Sequence, residues 1–204
     1  EDNVIKSISI SKNKQKAEEP YKKIKNAVIF CNRKIDINKV SLFLKKNNFK
    51  TVSLHGDMSQ SSRIQSLEEF KDGLVEILIA SDVAARGIDV AGLSHVFNYD
   101  VPNNPEDYVH RIGRTGRAGL KGKAFMFCDE SEENNVLTIE KLIKKKIQSY
   151  SFNEIISEDN VIKSISISKN KQKAEEPYKK IKNAVIFCNR KIDINKVSLF
   201  LKKN

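Results

Sequence analysis

Short apolar runs alternating with helical patterns constrain this chain more than any other feature, because few architectures accommodate that alternation. Ala27 to Cys31 (AVIFC), Thr51 to His55, Glu76 to Ala80 (EILIA), His95 to Tyr99 (HVFNY) and Lys123 to Cys128 (KAFMFC) have the length and composition of buried strands. Between them, Asp36 to Lys46 carries Ile37, Val40, Leu42, Phe43 and Leu44 on one side, and Gln60 to Phe70 carries Ile64, Leu67 and Phe70 at three-residue steps; both read as helices. A further helix starts near Pro105, with Asn104 as its cap and the proline in its first turn, and another covers about Glu132 to Ile147. Strands separated by crossover helices predict an α/β fold, a three-layer parallel sheet with helices on both faces, whose ligands gather at the carboxyl ends of the strands.

Residues 158–204 repeat residues 1–47 letter for letter. Diverged structural repeats do not look like that, so the identity points to a recent duplication, an engineered one, or an artefact of the sequence, and not to a solenoid. The repeat also explains the basicity. One copy holds 12 Lys/Arg against 5 Asp/Glu, a net of +7, whereas residues 48–157 hold 13 against 16, so the second copy supplies +7 of the chain's +11. The usual inference from a basic chain to nucleic-acid binding is weakened accordingly. The divisions expected are a basic polar segment at 1–26, a domain at 27–147, a polar linker at 148–183, and at 184–204 a partial repeat of 27–47.

Two identical strands, Ala27 to Cys31 and Ala184 to Cys188, then compete for one place in the sheet. The first closes a far shorter loop, which favours it by about 2 kcal/mol. The second copy is therefore expected to be displaced, with VIF and LFLKK exposed and able to promote self-association between chains.

No apolar run approaches the roughly 18–20 residues that span a bilayer, and EDNVIKSISISKNK lacks the apolar stretch of a signal peptide, so the expectation is a cytoplasmic protein without a membrane segment. The three cysteines show no CxxC or Cys/His spacing, and no metal site or disulfide framework is expected of them.

Four polar strings follow the predicted strands: VIFCNRK (28–34), HGDMSQSSR (55–63), IASDVAARGIDV (79–90) and VHRIGRTGRAG (109–119). In the last, Arg111, Arg114 and Arg117 recur every three residues, with Gly113, Gly116 and Gly119 allowing close backbone approach, an arrangement suited to a polyanion. Its alternative is a basic face at the negative end of a helix. In order and spacing the four strings resemble the later motifs of DEAD-box RNA helicases, over residues 27 to about 146. The resemblance implies the second RecA-like domain of such an enzyme.

On that resemblance, Arg114 and Arg117 are arginine fingers for an ATP phosphate, and His110 and Arg111 support the contact between two RecA-like halves. Asp89 would bond the ATP ribose beside Gly87, and Arg86 would bridge toward the phosphates or the opposite domain. Asn32, Arg33, Gln60, Arg63 and Ser81 would hold RNA by its backbone, without reading bases. Gln60 and Arg63 could otherwise be first-turn residues of an exposed helix, and Asp82 a helix cap. His55 reads as a turn residue beside Gly56, and His95 as a strand-entry residue.

The family's GxxxxGK[ST] phosphate loop and DEAD string do not occur in these residues; Gly122 and Lys123 are followed by Ala124. ATP with Mg would therefore be held mainly by a first RecA-like domain elsewhere, and this chain alone is expected to be inactive. The segment before the first strand also looks shorter than the family's. Two functions stay open: half of an RNA-dependent ATPase, or a stand-alone module that binds RNA or protein without catalysis. A DNA helicase of the same superfamily is a weaker alternative.

Overall fold

The computed structural model describes residues 26–86, 90, 92–116, 122–151, 181–187 and 201. Their elements run β1 (Ala27–Phe30), α1 (Lys34–Lys46), β2 (Thr51–Leu54), α2 (Gln60–Lys71), β3 (Ile77–Ala80), α3 (Asp82–Ala85), β4 (His95–Asn98), α4 (Pro105–Ile112), β5 (Gly122–Cys128), a 3-10 turn (Glu130–Glu132), α5 (Glu133–Ile143), β6 (Gln148–Ser151) and β7 (Ile181–Phe187). The strands form one sheet in the order β2-β3-β1-β4-β5-β7-β6, parallel throughout.

Alternate residues of each central strand enter opposite cores, as the two-residue period of a strand requires. On one face Val28, Phe30, Leu78, Val96 and Met126 pack with Phe70 of α2, Tyr108 and Ile112 of α4, and Val136 and Ile139 of α5. On the other, Ile29, Ile77, Phe97 and Phe125 pack with Ile37, Val40 and Leu44 of α1 and with Leu201. This is the three-layer α/β architecture expected. The helix boundaries have local causes. Ser59 caps α2 by accepting from the Ser62 amide at 3.2 Å. Pro105 opens α4, but the Asn104 side chain makes no capping bond and reaches Asp107 instead, at 3.4 Å. The helix expected to run to Ile147 stops at Ile143, because Lys144 turns left-handed at φ 50°.

The second copy departs from expectation. Its heptapeptide Ile181–Phe187 is β7, paired with β5 over Gly122–Cys128 on one side and with β6 on the other, and Leu201 is 3% exposed. The first copy does hold the central place between β3 and β4. Loop closure settles which copy takes a contested place, but the sheet has a second parallel place beside β5, so the copies need not compete. Strands β6 and β7 also cut into the stretch expected to be linker. The self-association expected from an exposed VIF strand loses that premise.

Candidate functional site

Three neighbouring parallel strands, β3, β1 and β4, end side by side, so the residues that follow them converge. They are Asn32 after β1, Ser81 and Asp82 after β3, and Asp100 after β4. Helix α4 returns across them and delivers Arg111, whose side chain is 1% exposed.

Arg111 makes five hydrogen bonds there. Its Nε donates to Asp82 Oδ1 at 2.7 Å and its Nη2 to Asp82 Oδ2 at 2.6 Å. Nη2 also donates to Asn32 Oδ1 at 2.7 Å. Nη1 donates to Asn98 Oδ1 at 3.2 Å and to the Asp100 carbonyl at 3.0 Å. The Phe30 ring lies 5.3 Å from the guanidinium carbon, adding a cation–π contact. A buried guanidinium is tolerated only when paired and fully bonded, and this one is. Asn32 is committed as well: its amide proton goes to Asp100 Oδ2 at 2.8 Å and its Nδ2 to the Val101 carbonyl at 2.9 Å. Burial first, then the charges of Asp100 and Asp36, push the neighbouring Cys31 thiol well above its usual range, so it is an inert core group.

Beside this network, Arg86, His110 and Arg114 line one shallow depression between α3 and α4, floored by Phe30 and Ala85. Arg86 donates to Asp107 at 2.8 Å while remaining 61% exposed, and His110 Nδ1 lies 3.9 Å from the same carboxylate. Burial raises the Asp107 pKa, but hydrogen bonds from Arg86 and Asn104 outweigh it and leave the carboxyl below its usual range. The chain after α4 is held down firmly. The Leu93 amide donates to the Arg114 carbonyl at 3.2 Å, and the Thr115 hydroxyl donates to the Leu93 carbonyl. Gly116 turns at φ 69°, which favours glycine.

A second group sits where β1 and β2 end. Arg33 is exposed and donates to Asp36 at 2.6 Å; Lys34 pairs with Asp57 at 2.5 Å, joining the start of α1 to the turn after β2. Gln60 is an exposed first residue of α2, and Arg63 is half-buried near the start of that helix. Ser81 is half-buried at the head of α3, its amide donating to the Leu54 carbonyl at 3.2 Å.

The expected residues therefore divide. Asn32, Ser81, Arg86, His110 and Arg114 lie along one edge of the sheet or the adjoining helix. Arg111 lies beneath that edge, enclosed within the domain, with its five donors bonded to Asp82, Asn32, Asn98 and Asp100. Gly87, Asp89 and Arg117 lie outside the described residues. Sequence reasoning missed Asn98, Asp100 and the partnership of Asp82 with Arg111; the one hint is the string NYD, polar residues closing a buried strand. Among the described residues, no group of three or more His, Cys, Asp or Glu side chains could hold a metal ion, and no helix is long and apolar enough to cross a membrane.

A parallel α/β sheet with basic side chains and a buried arginine network at its carboxyl edge is the form of a RecA-like helicase domain. A model of the helicase conserved C-terminal domain matches residues 12–119, over half of the chain, and the chain belongs to that family, in its DEAD-box branch. Among curated relatives, the DEAD-box ATP-dependent RNA helicase CshA of Bacillus cereus is 44% identical over 121 residues, 59% of this chain and 23% of that protein. The DEAD-box ATP-dependent RNA helicase RhpA of Helicobacter pylori is 41% identical over 145 residues, 71% and 29% respectively. The match thus spans about a quarter of the length of these relatives. Among solved structures, the E. coli DEAD-box protein SrmB, crystallised bound to regulator of ribonuclease activity A, aligns with a TM-score of 0.62 at 31% identity, covering 66% of this chain and 79% of that one. A DEAD-box protein from Methanococcus jannaschii aligns with a TM-score of 0.58 at 46% identity, covering 61% and 34%.

Proposed function

We propose that this chain is the C-terminal half of an ATP-dependent RNA helicase, supplying arginine fingers and RNA-backbone contacts to an ATPase site completed by a first RecA-like domain. The observation that carries this reading is the grouping of Arg86, His110 and Arg114 around one depression at the sheet's carboxyl edge. Separating the γ-phosphoryl group from ATP builds negative charge on its oxygens, and an arginine held in place against them stabilises that charge at no cost of reorganisation. Arg114 and Arg117 take that role, Arg86 joins them on leaving Asp107, and Gly87 and Asp89 bound the ribose. The residues present fit phosphate but not magnesium, since the nearby carboxylates of Asp82 and Asp107 already accept from arginines. A magnesium ion would therefore be held by residues of the first domain, where it would supply neutralisation of phosphate charge. RNA lies along Asn32, Arg33, Gln60, Arg63 and Ser81, held by backbone contacts without base readout. The names of the relatives, ATP-dependent RNA helicases, agree with both halves of this reading.

The test mixes this chain with a purified first RecA-like domain of a DEAD-box helicase, ATP, magnesium and single-stranded RNA. Phosphate release that requires both proteins and RNA supports the reading. Hydrolysis by this chain alone, or none from the mixture, contradicts it; RNA binding without any stimulation would favour the stand-alone binding module.

A further inference from the structure

We infer that the lysines closing α5 form a second contact for RNA, made to backbone phosphates at the edge of the sheet opposite the site described above. None of the residues involved lies at the carboxyl edge, so this surface is additional to the one proposed there.

The topology fixes where α5 ends. Strands β5 and β6 are both parallel to β7, and α5 joins the carboxyl end of β5 to the amino end of β6. The last turn of α5 therefore lies at the amino edge, about 23 Å from the carboxyl edge, the length of a seven-residue strand such as β5. There Leu137, Glu140, Lys141, Lys144, Lys145 and Lys146 line an open cavity of about 270 Å³, far more room than one water requires.

Glu140 builds the turn that gathers these lysines. Its side chain, 10% exposed, accepts from the Ile147 amide at 2.8 Å and from Lys146 at 2.6 Å, and its carbonyl accepts from the Lys145 amide at 3.2 Å. Lys144 completes the turn at φ 50°, where glycine would be the unstrained choice, so a charge is held at a position that backbone conformation alone would give to another residue. Glu140 neutralises Lys146. Lys141, Lys144 and Lys145 are exposed and have no acidic partner among the described residues.

Lysines at the end of a helix also offset its negative pole, and α1 ends on Lys45 and Lys46 in that way. What distinguishes α5 is that three unneutralised ammonium groups surround one cavity. Their chemistry selects the ligand. Compact charges neutralise phosphates without demanding a fixed orientation, and no aromatic side chain lines the cavity for a base to stack on. Leu137 is the single apolar residue of the lining, too little to anchor an acidic peptide beside its carboxylates. The contact is therefore independent of sequence and steeply dependent on salt.

Fluorescence anisotropy with the full chain tests this, using single-stranded RNA of about 6 and about 30 nucleotides, the shorter unable to engage both edges. One variant combines Lys141→Gln, Lys144→Gln and Lys145→Gln. Its control combines Lys39→Gln, Lys45→Gln and Lys46→Gln, the same change of charge at exposed positions of α1. The long RNA is expected to bind the α5 variant about tenfold or more weakly at about 0.1 M salt, with the slope of log affinity against log salt reduced by about 2. The control and the short RNA stay near wild type. Lys145→Glu alone carries the comparison where the triple variant does not fold. The inference is overturned where long RNA loses no more affinity in the α5 variant than in the control, or where short and long RNA lose it equally. It is also overturned where the α5 variant keeps long RNA but loses polyglutamate, which would make the surface one for acidic protein. Failure of the short RNA to bind wild type overturns the RNA path proposed at the carboxyl edge and leaves the long-RNA comparison standing.

Discussion

Arg111 grips Asp82 through two nitrogens, at 2.7 and 2.6 Å, with its own side chain 1% exposed and that of Asp82 22% exposed. Removing the carboxylate leaves a buried positive charge with only neutral acceptors. Asp82→Ala is therefore expected to destabilise the fold by about 3–5 kcal/mol. Urea denaturation checks this; a loss near that of a surface substitution would show that solvent already reaches the guanidinium.

Gly122 opens β5 hard against the turn after α4. A Cβ there would collide with the Thr115 hydroxyl and lie 2.7 Å from the Gly116 nitrogen and 2.8 Å from the Thr115 Cβ. Since two of the three are backbone or locked by the Leu93 contact, Gly122→Ala should cost about 1–3 kcal/mol. It should also disturb the turn that follows Arg114. A thermal melt unchanged from wild type would contradict the close approach.

His95 makes stability depend on pH. It is 6% exposed, stacks on Phe97 and Phe125 at 5.9 and 6.3 Å, and bonds Ser94 through Nδ1, while no partner reaches Nε2. Burial, and secondarily Lys123, lowers its pKa from 6.5 to about 4. Between those values the unfolded chain binds the proton and the folded chain does not, so stability is intact above 6.5 and falls as the pH drops toward 4. The loss attributable to this residue is about 3 kcal/mol. Denaturation midpoints across that range should fall in the wild type and fall less in His95→Phe; parallel curves would refute the assignment.

The strand β7 covers the edge of β5 through seven paired positions. A chain ending at Ser157 lacks that cover, so backbone amides of Gly122–Cys128 should exchange hydrogen faster, and the bared edge should increase association in light scattering. Unchanged exchange would mean that β6 closes the gap by itself.

Much of this was legible in the letters. Ala27 to Phe30 and Ile77 to Ala80 are continuous apolar runs because parallel strands are buried on both faces, and that composition survives any change of context. The short helix Asp82–Ala85 was not legible, since four residues carry no period. Nor was the burial of Arg111: its spacing with Arg114 is the same three residues as that of Arg114 with Arg117, and its burial depends on Asp82, 29 residues earlier in the chain. Its enclosure depends on three strand ends meeting, a tertiary fact. The place taken by β7 was missed for a different reason, because a repeated strand invites the thought of competition and says nothing about a vacancy beside β5.

On the function proposed, Arg114 faces a nucleotide held by another domain. The most direct test is the kcat for RNA-stimulated ATP hydrolysis by the mixed halves, comparing wild type with Arg114→Ala at saturating ATP and RNA. A fall of about 10³-fold or more, with RNA affinity of the chain unchanged, is the predicted result. Hydrolysis at the wild-type rate in that variant would contradict it.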